Sequence, residues 1–153
     1  MDDLFIALTC VVPLVVYLLW TKGQGPNKAR YACIGLGLAF CYFALGHFVV
    51  TDELAQMLPQ WVPQRRLLIH ITGCLEVLIA AGLFTERWRG LATIAAAFVL
   101  IAFFPANIYA AVHHVGVGEH QQGPQYLWVR TPLQLFLLAW TLWPCRLKVR
   151  NAA

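Results

Sequence analysis

Six polar side chains interrupt runs that are otherwise apolar: His47, His70, Glu76, Asn107, Arg130 and Gln134. Glu76 is the most informative, because it stands near the middle of the run Leu67 to Phe84. A run of that length can cross a bilayer, and a carboxylate at that depth is costly unless it faces a partner or a cavity. The six types suit a ligand or proton site. A carboxylic acid and an imidazole exchange protons, while an arginine fork and two side-chain amides orient a polar head. A plainer reading stays open beside this one. Glu76 and Arg130 form a buried ion pair that fixes packing, Gln134 makes an interhelical hydrogen bond, and Asn107 repairs the backbone near Pro105. A second group, His113, His114 and His120 with Glu119 beside it, could hold a metal. Its spacing follows no zinc or copper signature, which argues against a resident metal.

The elements that must position these residues follow from composition. The chain has 153 residues, 60% hydrophobic and 12% charged, with a mean hydropathy of +0.66. Soluble domains average about 25% charged residues, so this chain reads as an integral membrane protein. Five candidate spans appear: Leu4 to Thr21, Tyr31 to Val50, Leu67 to Phe84, Leu91 to His113, and Tyr126 to Trp143. Lipid admits such segments only as helices, so the expected fold is all-α, a polytopic membrane helix bundle in one transmembrane domain. The start lacks the basic n-region of a secretory signal, and the first run reads as a retained span. The five cysteines include no C-x-x-C pair, which argues against thiol or disulfide chemistry. The net charge of +4 comes from Lys and Arg at span ends, a topology signal rather than a nucleic-acid surface.

Basic residues also set the orientation. Lys22, Lys28, Arg30, Arg87, Arg89, Arg146, Lys148 and Arg150 fall on one side, against Arg65, Arg66 and Arg130 on the other. The positive-inside rule then places the N-terminus outside and the C-terminus in the cytoplasm. Asp2, Asp3, Asp52 and Glu53 become external. At about 1.5 Å per residue Glu76 lies roughly 14 Å deep, and all the polar candidates fall in the outer leaflet or at its mouth. Thr51 to Arg66, with Met57, Leu58, Pro59, Trp61 and Pro63, reads as a short cap lying along the outer surface.

Helical phase refines the grouping. Thr72, Gly73, Glu76 and Ala80 share a stripe of the third span, as do Asn107, Ala111 and His114 on the fourth and Arg130, Gln134 and Thr141 on the fifth. His70 is about 120° around the helix from Glu76, at the edge of its stripe at best. Gly35, Ala39, Tyr42 and Gly46 form a small-residue stripe suited to close packing. Pro105 should kink the fourth span and free the carbonyl of Ile101.

The segments GHF (Gly46 to Phe48), MLP (Met57 to Pro59), TGCLE (Thr72 to Glu76), FFPANIYAA (Phe103 to Ala111) and RTPLQ (Arg130 to Gln134) carry a resemblance. In order and spacing they resemble the DoxX-like family of small bacterial membrane proteins, over roughly residues 31 to 143. The resemblance implies a four-helix unit in the cytoplasmic membrane, to which the first helix is an N-terminal addition. Some members are named as subunits of quinone-linked oxidoreductases, and others are linked to oxidative-stress complexes. Glu76, Asn107, Arg130 and Gln134 match recurrent polar positions of that family, and His47 matches the residue before the aromatic of the second span.

Three functions fit these readings. The first is a redox-associated protein with a quinone-like ligand in an outer-leaflet pocket, working with a partner redox subunit or as a homo-oligomer. The chain carries no haem ligand pair, flavin motif or iron–sulfur spacing of its own. The second is a non-enzymatic binder of a lipid or small hydrophobic molecule, or an assembly factor for another membrane protein. The third is a small transporter or metal handler built on the external histidines. Whether the chain is an enzyme stays open.

Overall fold

The computed structural model describes residues 2–22 and 27–150, with side chains from 3 to 22 and from 27 to 143. Among the described residues the chain is helical and has no strand. The long helices are α1 (Asp2–Trp20), α2 (Lys28–Val49), α4 (Arg65–Phe84), α5 (Arg89–His113) and α6 (Leu127–Arg150), with a short α3 (Thr51–Gln56) between α2 and α4. Two 3₁₀ turns, Gly118–Gln122 and Pro124–Tyr126, link α5 to α6. Helices α1, α2, α4 and α5 are each long and apolar enough to cross a membrane. The side chains of Arg146, Lys148 and Arg150, which entered the charge count, lie outside the described residues.

Helices α2, α4 and α5 begin earlier than the apolar runs suggest, taking in Lys28, Arg30, Arg65, Arg66 and Arg89. Hydropathy falls at a basic residue, but the backbone does not, since a long basic side chain can leave a helix end for water while its backbone stays hydrogen-bonded. Ends are set by local geometry instead. Gln64 takes a left-handed φ of 48° before α4, and His114 one of 55° after α5. Helix α5 runs unbroken through Pro105.

Helix α2 is the hub, packing on α1, α4 and α6, while α5 bridges α4 and α6. Gly35 permits the closest approach: a Cβ there would lie 2.0 Å from the Cys10 carbonyl oxygen. Gly46, on the same expected stripe, has open space around it, and Tyr42 is exposed. The small-residue seam therefore covers only the first half of α2. Trp140 of α6 adds a polar tie by donating to the Ala32 carbonyl at 3.2 Å. The outward faces carry large apolar side chains, among them Leu4, Leu8, Leu19, Leu78, Ile94 and Phe98. So much exposed apolar surface suits a lipid surround better than water.

The bundle is filled at one end and hollow at the other. Cys33, Leu36, Ala39 and Phe40 of α2 pack with Ile79, Ala80 and Leu83 of α4, Ala92 and Ala96 of α5, and Leu137 of α6. The second half of α2, the first half of α4, the late part of α5 and the start of α6 instead line a cavity of about 650 Å³. Leu54, Met57 and Leu58 roof it together with Val117 and Glu119. Met57 is buried against Gly116, where a Cβ would lie 2.4 Å from its Cγ. The segment after α2 is thus docked on the loop before α6, over the cavity.

Candidate functional site

The hollow end gathers two polar groups. The first joins α2 to α4. Nδ1 of His47 is 3.0 Å from Oε2 of Glu76 and 3.1 Å from the Phe43 carbonyl oxygen. The ring nitrogen has one proton to give, and its direction suits the Phe43 carbonyl. Glu76 Oε2 is therefore in close contact but without a directed hydrogen bond, although the residue is only 2% exposed. Gly73 makes the contact possible, since a Cβ there would lie 2.7 Å from the Cβ of His47.

The second group joins α1 to α6 and its preceding turn. Arg130 Nη1 donates to Asp3 Oδ1 at 2.9 Å, and the Tyr126 hydroxyl donates to Asp3 Oδ2 at 2.6 Å. Arg130 Nε is buried and has no hydrogen-bond partner. Asp3 sits in the first turn of α1, where the helix dipole also favours an acid. Next to this pair, His120 packs edge-on against Tyr126. Its Nε2 is 3.0 Å from Asn107 Oδ1, and its Nδ1 is 2.8 Å from the Val117 carbonyl. Both neighbours accept, so a charged ring would bond both and a neutral ring one. Burial still holds the His120 pKa below the ordinary imidazole range; the Arg130 guanidinium adds to this, while the Val117 bond, Asp3 and Glu119 oppose it.

The placements correct several expectations. Glu76 and Arg130 line the same cavity, but they are not each other's ion partners; Glu76 pairs with His47, and Arg130 with Asp3. Two other readings need no correction: Asn107 donates to the Phe103 carbonyl, two residues before Pro105, and Gln134 of α6 makes an interhelical hydrogen bond to the Leu100 carbonyl of α5. His47, Glu76, Asn107, Arg130 and Gln134 all line the cavity. His70 does not: it is exposed and stacked on Phe48, on the side its phase indicated. His113 and His114 are exposed and face the carbonyls of Tyr109 and Gln121, whereas His120 is buried. The three do not converge, and no group of metal-holding residues occurs among the described residues.

Asp3 and Tyr126 were missed. The signal for Asp3 was available, as an acid at the start of an apolar run, but it reads equally well as an external charge. Tyr126 sits just ahead of α6 and reads as an interfacial aromatic.

The fold and site define a class: an all-helical bundle of apolar helices around a cavity that is apolar along its walls and polar in two places. The chain belongs to the DUF8561 family, a domain of unknown function, whose model matches residues 36–145. That span includes His47, Glu76, Asn107, His120, Arg130 and Gln134, whereas α1 with Asp3 precedes it. No curated protein and no solved structure matches the chain.

Proposed function

We propose that the protein crosses a bacterial cytoplasmic membrane five times, N-terminus outside, and holds a small quinone-like amphipathic molecule in its hollow end as part of a redox complex. One observation carries this reading. Two buried polar atoms of opposite kind, the acceptor Glu76 Oε2 and the donor Arg130 Nε, lack hydrogen-bond partners in side chains that line one cavity. Buried polar groups are nearly always satisfied, so a pair left open points to a missing partner. The walls supply Phe43, Leu54, Ile69, Leu100 and Phe103 for a tail, and about 650 Å³ is an ordinary volume for a small-molecule site. His47 and Glu76 can hold and pass a proton to a ligand oxygen, and Arg130 can orient a carbonyl. Electrons would come from a partner subunit, as the resemblance to DoxX-like proteins implies.

A second reading is favoured by the groups that are already satisfied. Asn107, Gln134 and Thr141 all find partners within the bundle, as a packing core requires. The protein would then bind a lipid or assist assembly without redox chemistry. Mass spectrometry of molecules that co-purify with the full chain separates the two. Quinone recovered from the native protein and lost in Glu76→Gln supports the first reading. Bulk phospholipid alone, identical in both proteins, overturns it.

A further inference from the structure

No positive charge around the cavity lacks a negative neighbour, and this limits what it can hold. Arg130 is balanced by Asp3 at 2.9 Å, with their side chains 16% and 11% exposed. His47 Nδ1 lies 3.0 Å from Glu76 Oε2, so any positive charge on the ring would be matched by the carboxylate beside it. Glu119, half-buried in the 3₁₀ turn, is the remaining charged residue of the lining, and it is negative. A ligand that brought an anionic head would therefore meet no uncompensated positive charge. It would add a buried charge, which is strongly unfavourable without a counter-ion.

We propose that the site selects an uncharged amphiphile bearing both a hydroxyl donor and a carbonyl or hydroxyl acceptor, and that Asp3 of α1 sets this selectivity. The donor meets Glu76 Oε2 and the acceptor meets Arg130 Nε. Asp3 holds Nη1 of the guanidinium at 2.9 Å and already supplies the counter-charge that a carboxylate or phosphate would bring. Removing its charge turns Arg130 into an open anion site. The selecting residue therefore lies on a helix that precedes the family match at residues 36–145. The inference rests on the cavity being a ligand site, and it narrows the ligand class.

The test uses the full chain in nanodiscs of a zwitterionic lipid near neutral pH. Two probes share one tail length, an alkyl hydroquinone and a fatty acid, and binding is measured by equilibrium titration. The native protein should prefer the hydroquinone by about tenfold or more. Asp3→Asn should reverse the order, and Asp3→Glu should restore it. Native protein that takes the fatty acid equally well overturns the selectivity while leaving the pocket intact. Native protein that takes neither probe overturns the ligand site itself. The native comparison needs no variant, so it decides the matter even if Asp3→Asn folds poorly.

Discussion

Nδ1 of His47 on α2 stands 3.0 Å from Oε2 of Glu76 on α4, at the level where the bundle opens into its cavity. The two residues are 29 positions apart, the difference of their numbers, and only the packing of α2 on α4 joins them. Such a contact should be energetically coupled. In a cycle of His47→Gln, Glu76→Gln and the double variant, the coupling should be about 0.5–3 kcal/mol. Unfolding in mixed detergent measures it, and a value near zero would make the contact incidental.

Asp3 and Arg130 form a more demanding pair. Asp3→Ala leaves a buried guanidinium without its counter-ion and should cost about 3–5 kcal/mol. Replacing both, as Asp3→Asn with Arg130→Gln, should cost less than that single change. The same unfolding assay compares them. A double variant less stable than Asp3→Ala would show that the ion pair is not what holds α1 to α6.

The glycines make a graded test of helix contact. Gly35→Ala would drive a Cβ into the Cys10 carbonyl and should destabilise by at least ~1–3 kcal/mol. Gly46→Ala meets nothing within 4 Å and should be neutral or stabilising by up to about 1 kcal/mol. Gly73→Ala should push His47 off Glu76 and weaken ligand retention. Equal melting temperatures for Gly35→Ala and Gly46→Ala would contradict the α1–α2 packing described above.

Acid should loosen the loop over the cavity through His120. Burial lowers its pKa in the folded protein, so folding favours the neutral ring. That contribution is fully present above the unfolded value of about 6.5 and is lost as pH falls through the lower folded value. The melting temperature should therefore drop between about pH 7.5 and pH 5. His120→Gln, which cannot charge, should drop less. An equal fall in both proteins would assign the effect to other groups.

Much of this protein is legible without coordinates. Runs of about 20 apolar residues leave helix as the only workable state, so the order of the long helices follows from hydropathy. The gathering of polar groups at one end follows as well, because antiparallel helices turn position along a chain into depth. Phase puts Thr72, Gly73, Glu76 and Ala80 on one face with His70 at its edge at best; Gly73, Glu76 and Ala80 are buried, Thr72 is half-buried and His70 is exposed.

Partner choice was decided by tertiary structure. Depth and phase say that Glu76 and Arg130 share a level, but not which helices adjoin there. The neighbours of α2 and α6 set that, giving His47 to Glu76 and Asp3 to Arg130. The cavity is likewise a property of packing. Small residues draw α1 onto α2 at one end, while at the other Met57 and Gly116 close a roof over space that no side chain fills. A sequence states which groups each helix presents, but the space between helices depends on how their surfaces fit.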